Sequence, residues 1–222
     1  MTGRSYKIDG VQYPSVTTII GATLPNPGIT AWKLKVGEEE AKRISREATD
    51  WGTGIHSLVE QVGYRNTAVL AAEEAAIIAP YARWVDDNVS VFLGVEKLLV
   101  SRQYGYAGTT DAIVILDGDR YPSILDFKTS KTALGQDEWR LQLAAYAIAA
   151  EEHLGLICRR RVIVRMPRAE PGKLYVHELD EETLEEDKRV FLCLLEIFKW
   201  THKKDPVKNS LGRITLNGRT AR

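Results

Sequence analysis

The sequence predicts an α/β fold: a single domain with a central mixed β-sheet flanked by helices, and a helical layer formed by its N-terminal third. Three observations predict it. The apolar period changes from helical to two near residue 91 and returns to helical near residue 137. The elements run helices, three strands, helix, two strands, helix, an order that a sheet with one crossover helix satisfies. The 222 residues are 44% hydrophobic and 27% charged. A chain of that length buries roughly 70% of its unfolded surface, so it folds without disulfides or a structural metal.

Each element has a local cause. After a short extended opening, Pro14-Ser15 followed by Val16 to Ile20 reads as a capped helix start. Pro25, Pro27 and Gly28 break that helix, and Thr30 is the expected cap of a long helix from Ala31 to about Ala48. Gly52-Thr53-Gly54 reads as a glycine turn into a short helix carrying His56, and the alanine-rich residues 68–88 as another helix. Val91 to Val100 and Thr109 to Leu116 alternate as strands, with a turn at Gly105. Asp117-Gly118-Asp119 is a hairpin turn, and Ser123 to Lys128 is the next strand. A helix over 137–154 precedes two strands, Arg161 to Met166 and Lys173 to Glu178, around a Pro171-Gly172 turn. The last helix, 181–200, shows a core face at Leu184, Phe191, Leu194, Leu195 and Phe198. Residues 1–205 read as one domain, with the helical layer over about 14–90 and the sheet core over about 91–200. Residues 206–222 form a basic tail.

Composition excludes collagenous, low-complexity and largely disordered chains. No apolar run approaches the roughly 20 residues of a membrane span, and Met1 to Lys7 lacks the apolar core of a signal peptide. The expected setting is therefore cytoplasmic, without a membrane partner. Cys158 and Cys193 stand far apart and read as buried thiols, which excludes a disulfide scaffold and a four-cysteine zinc site. Lys+Arg and Asp+Glu number 30 each, so the whole chain offers a polyanion no attraction. The charge is unevenly placed, with seven basic residues against Asp205 alone between Lys199 and Arg222. Arg159, Arg160 and Arg161, with Arg165 and Arg168, form a second basic run. Segregated charge of this kind serves a neutral nucleic-acid binder, and it also describes ordinary solvated faces.

The stretch richest in chemistry is Gly108-Thr109-Thr110-Asp111 followed by Leu125-Asp126-Phe127-Lys128. Residues two apart in a strand share a face, so Asp126 and Lys128 project together while Leu125 and Phe127 enter core. The hairpin turn folds Asp111 back toward Asp126. Two carboxylates on adjacent strands make a hard-oxygen site suited to Mg²⁺ or Mn²⁺. Such an ion polarises a phosphoryl oxygen and acidifies a bound water, and a lysine beside it can stabilise developing charge. Taken alone, Asp-x-Lys also describes a surface hairpin with a cross-strand ion pair worth under about 1 kcal/mol. The flanking apolar residues argue instead for a sheet covered on both faces, where a buried charge needs a partner.

Gly108-x-x-Asp111, Asp126-x-Lys128 and Gln142-x-x-x-Tyr146, in that order, resemble the PD-(D/E)XK nucleases in their RecB-like exonuclease branch. Trp51-Gly52-Thr53-Gly54-Ile55-His56 is similar to that branch's Gly-Thr-x-x-His motif, and Glu96 matches a carboxylate often found on the first sheet strand. Tyr13 to Thr18 and Trp32 to Ala41 look like phage-type members and the mitochondrial genome maintenance exonuclease. The resemblance spans roughly residues 13–150 and implies a restriction-endonuclease-like core. It implies a metal-dependent DNA exonuclease that uses Mg²⁺, with Mn²⁺ substituting. The alternatives are a site- or structure-specific endonuclease on the same fold and a silent nucleic-acid-binding protein.

By the same resemblance, Asp111 and Asp126 hold the metal with the Phe127 carbonyl, and Lys128 positions the attacking water. His56 is a further ligand and Glu96 a carboxylate for a second metal or a water, while Gln142 and Tyr146 approach the metal site and the substrate strand. The proline that the family places before its first aspartate is Thr110 here, and the iron–sulfur cysteines of some relatives are absent, so no cluster is expected. Arg159, Arg160 and Arg161 are expected to hold substrate phosphates. DNA, single-stranded or as an end-containing duplex, is the implied partner, with a phage or bacterial host cell as the setting and room for a recombination or replication protein.

Overall fold

The apolar strands of the middle third assemble into one five-stranded mixed sheet. The computed structural model describes residues 3–130, 136–202, 215–216 and 219–220. The extended opening resolves as a hairpin of β1 (Ser5–Ile8) and β2 (Val11–Pro14). Asp9 and Gly10 turn it with φ of 50° and 80°, the left-handed pair that an Asp-Gly hairpin turn supplies. Ser15 caps α1 (Val16–Thr23) by accepting from the Thr18 N–H, as expected.

The next two helices differ from expectation. α2 (Pro27–Val36) is capped by Asn26 rather than Thr30, with Pro27 in its first turn, and none of its side chains is fully buried. Gly37, at φ 85°, separates it from α3 (Glu38–Gly63). The Gly52-Thr53-Gly54 stretch is not a turn but the interior of α3, so His56 sits on a helix of 26 residues. Helical glycine costs about 1 kcal/mol against alanine. At Gly52 a Cβ would stand 3.4 Å from Thr129 Oγ1, an ordinary contact, so the glycine is tolerated rather than required there. α4 (Ala72–Asn88) completes the helical layer.

β3 (Val89–Ser101), β4 (Tyr106–Leu116) and β5 (Ser123–Lys128) form an antiparallel meander turned at Gly105 and Gly118. α5 (Gln136–Leu154) crosses over to β6 (Arg160–Arg165), which pairs parallel with β5. β7 (Tyr175–Leu179) closes the order β3-β4-β5-β6-β7, antiparallel to β6, and α6 (Leu184–Thr201) follows. β8 (Thr215–Leu216) and β9 (Arg219–Thr220) pair with each other; the rest of the basic tail lies outside the described residues.

Both faces of the sheet are covered. Ile113, Ile124 and Ile163 pack with α1, α5 and α6, including Phe191, Leu195 and Phe198. Ala112, Val114, Leu125, Phe127, Val162 and Val164 pack with Ile55, Leu58, Val59, Tyr81 and Val85 of α3 and α4. The alternation in β5 therefore sends Leu125 and Phe127 to the α3–α4 side, as the period of two requires. Cys158 is buried as expected, but Cys193 is exposed on the outer face of α6. Among the described residues no helix is long and apolar enough to cross a membrane.

Candidate active site

The site forms where the β4–β5 ladder ends. Backbone pairing stops at Ala112 with Leu125, and side chains take over beyond it. Asp111 Oδ2 accepts from the Phe127 N–H, and Thr110 Oγ1 donates to the Leu125 carbonyl at 3.3 Å. The strands open there without stranding a buried donor, and Asp111 is fixed beside Asp126 as a consequence. Both carboxylates are buried, at 8% and 3% exposure.

β3 contributes Glu96. The ladder with β4 pairs Val95 with Ala112 and Lys97 with Thr110, so Glu96 stands across from Asp111 but falls out of the pairing. Its φ is +44°, a left-handed conformation that costs a non-glycine residue on the order of 1–3 kcal/mol. α3 contributes His56, whose Nδ1 lies 3.1 Å from Asp111 Oδ1 and whose ring meets Phe127 edge-on at 5.7 Å. His56, Glu96 and Asp111 each offer one ligand atom, and these lie within 4.8 Å of one another.

Asp126 belongs to a second knot. Lys128 Nζ pairs with Asp126 Oδ2 at 2.6 Å. Gln142 of α5 uses its amide fully: Nε2 donates to Asp126 Oδ1 at 3.0 Å and to the Tyr146 hydroxyl at 3.1 Å. Gln142 Oε1 accepts from Lys128 Nζ at 3.1 Å. A flipped amide would set its NH₂ against the ammonium, so the charges fix its orientation. Gly108 makes room for this arm: a Cβ there would stand 2.5 Å from Tyr146 Cε1 and 3.1 Å from Val16 Cγ2.

The electrostatics are strained toward protons or a cation. Burial, reinforced by Asp111, pushes Glu96 up to about 7, with His56 and Arg4 opposing. Burial raises Asp126 as well, against the charge of Lys128 and with that of Asp111. For His56, burial acts downward and is the largest single effect, but its hydrogen bond to Asp111 and the charges of Asp111 and Asp126 leave it raised. Burial carries the Tyr146 hydroxyl well above its ordinary value, so it stays a neutral hydroxyl that accepts from Gln142. Three crowded carboxylates and an imidazole suit a hard divalent cation, and the residues present fit one.

The knot lies on the floor of a cleft of about 1030 Å³. Its walls are β1, the start of α1, residues 44–53 of α3 and the Arg168-Ala169 turn. Arg4, Tyr6, Trp51 and Arg168, to which the sequence reading gives no role, line it too. Trp51 and Arg168 had weak signals, adjacency to the His56 motif and membership of a basic run. Arg4 and Tyr6 had none.

The arginine run is not brought to this cleft. Arg160 pairs in register with Ser123 and Arg165 with Lys128, so the run sits about 16 Å along the strand from Lys128. Arg161 is fully buried. Its guanidinium is held by Asp187, the Asp180 carbonyl and Thr183. Arg140 shares Asp187 at 2.8 Å, and Arg161 therefore serves the fold rather than a phosphate. Arg159 lies over the Tyr121 ring and pairs with Glu181, while Arg160 pairs with Asp119 and Glu178. Acidic neighbours gathered by the fold neutralise a run that stands bare in the sequence.

No curated protein matches the chain in sequence. Among solved structures, SSO0001 is similar at 15% identity and a TM-score of 0.37, over 84% of this chain and 79% of that one. A candidate exonuclease from Eubacterium rectale matches at 15% identity and a TM-score of 0.43, over 68% of this chain and 66% of its own. An alkaline exonuclease from Laribacter hongkongensis, LHK-Exo, matches at 14% identity and a TM-score of 0.32, over 65% and 80%. The family comparison is decisive. The model of the PD-(D/E)XK nuclease superfamily, whose members use divalent metal ions on nucleic acid, matches residues 38–208. That match runs through the helix of His56, all three site strands and the helix of Gln142, and the chain belongs to this superfamily.

Proposed function

We propose that the chain is a Mg²⁺-dependent deoxyribonuclease, with Mn²⁺ able to substitute, acting as an exonuclease of the RecB-like type on single-stranded or end-containing DNA. The observation that carries this reading is the buried Asp126–Lys128 pair beside Asp111 on the floor of the cleft. The cleft volume of about 1030 Å³ is at the top of the small-molecule range and suits a segment of polymer.

Asp111, Asp126, His56 and Glu96 would hold the metal, with the Phe127 carbonyl adding to them. A divalent ion held there supplies the charge that polarises a phosphoryl oxygen and acidifies a water. The chain's own groups do the rest. The Lys128 ammonium has three N–H donors; among the described residues Asp126 and Gln142 engage two, leaving one for the attacking water or for charge growing on the phosphate. Gln142 keeps that ammonium at a fixed height above the sheet, and Tyr146 keeps Gln142 in place. The α1 and α3 walls confine the substrate, which supports entry of a strand end rather than the side of an intact duplex.

The test uses end-labelled linear single- and double-stranded DNA, and circular single-stranded DNA, with Mg²⁺, Mn²⁺ or EDTA. Metal-dependent release of short labelled products from linear DNA is expected, reduced on the order of 10²–10³-fold by Lys128→Ala. A circle cut as fast as a linear strand reassigns the chain to the endonucleases. DNA left intact under every metal, with a gel shift retained, makes it a non-cutting binder.

A further inference from the structure

Trp51 and Arg168 stand between the cleft and a second recess. Both line the catalytic cleft, and both line an adjoining cavity of about 230 Å³ whose other walls include Ile55, Ile77, Met166 and Pro171. The Arg168 guanidinium lies 5.4 Å from the centre of the Trp51 ring. Arg168 is exposed and has no acidic partner among the described residues. The Trp51 indole N–H is sealed from solvent and donates to nothing among the described residues. The recess is smaller than the roughly 300–1000 Å³ of a whole-ligand site. It is apolar at the back, with Glu170 and Lys173 on one wall, and carries at its mouth the Trp51 ring with the Arg168 guanidinium over it. Those are the parts that recognise a nucleotide: a flat aromatic and guanidinium surface for the base and a cation for the neighbouring phosphate.

We propose that this recess takes one unpaired nucleobase of the strand whose phosphate lies at Asp111 and Asp126. The inference rests on the nuclease reading of that cleft and gives its substrate class: nucleic acid single-stranded next to the cut. A paired base inside a duplex cannot reach the recess without leaving its stack.

The experiment measures fluorescence anisotropy of the Lys128→Ala protein in Mg²⁺ with a labelled single-stranded oligonucleotide. Matched oligonucleotides carry abasic sugars near one end or the other, with the phosphates unchanged. Abasic sugars at one end are expected to weaken binding on the order of 5- to 150-fold, the worth of one stacked base. Adding Trp51→Ala should erase that difference. Adding Ile77→Trp, at a position 37% exposed, should erase it too by plugging the recess while leaving core and cleft intact. If Trp51→Ala fails to fold, Ile77→Trp decides. Equal binding of abasic and intact strands, or a difference that survives Ile77→Trp, overturns the proposal. Cleavage by the unmodified protein is read separately. Cutting without base dependence removes the recess alone, and base dependence without cutting keeps the recess and removes the nuclease reading.

Discussion

At the scale of single residues, the site depends on Gln142 as a spacer between charges. Its amide bonds Asp126, Lys128 and Tyr146 at 3.0–3.1 Å. Replacing it with leucine keeps the volume and removes all three bonds, so the ammonium loses its fixed height. Small displacements of a catalytic group cost up to about 10²-fold in rate. Gln142→Leu should therefore lower kcat on the order of 10–100-fold with KM little changed, in steady-state cleavage of a labelled oligonucleotide. An unchanged kcat would show that Asp126 alone positions Lys128. The residues of this knot were legible because a period of two and a helical spacing of four are local properties. The fate of Arg161 was not. Its sequence neighbours are basic, and its partner Asp187 arrives from a helix 26 residues further on. Burial of an arginine is a tertiary fact with no local signature.

At the scale of elements, α6 is tied to the sheet through that same pair. Arg161 of β6 and Arg140 of α5 meet on Asp187 of α6, which is 4% exposed. Removing one partner of a buried ion pair strands the other, at a cost of about 3–5 kcal/mol. Asp187→Ala should lower unfolding stability by that amount in urea titration, though the residue lies in α6, away from the cleft. A loss under about 1 kcal/mol would mean that water reaches Arg161. Strand positions were well read, because alternation survives packing on either face. The long helix was read less well. Gly37 reads as the interior of a helix and Gly52-Thr53-Gly54 as a turn, yet Gly37 ends a helix and the other two continue one. The difference lies in the backbone: Gly37 adopts φ 85°, which a side chain rarely takes, while Gly52 and Gly54 keep helical dihedrals.

At the scale of the whole molecule, the crowded carboxylates make stability depend on pH and on metal together. Glu96 titrates near 7 in the metal-free fold and at its ordinary 4.5 when unfolded. The folded state therefore binds more protons between those values, and the sign follows: its contribution to metal-free stability falls as pH rises from about 4.5 through about 7. Asp126, raised by burial, adds in the same direction. A divalent ion competes with those protons, so its affinity should grow over the same window and level off above it. At 100 times the dissociation constant, binding adds about 2.7 kcal/mol, or roughly 5–10 °C in Tm for a chain of this size. Thermal melts in EDTA and in Mg²⁺ at pH 5.5 and pH 8 should give the larger metal-induced gain at pH 8. Glu96→Gln removes the main proton competitor and should shrink the difference between the two pH values. Equal gains at both pH values in the unmodified protein would mean that the ion does not displace those protons, and would take Glu96 out of the ligand set. The family's pattern placed these carboxylates in sequence, but their mutual repulsion arises only when β3, β4 and β5 bring them to one end of the sheet.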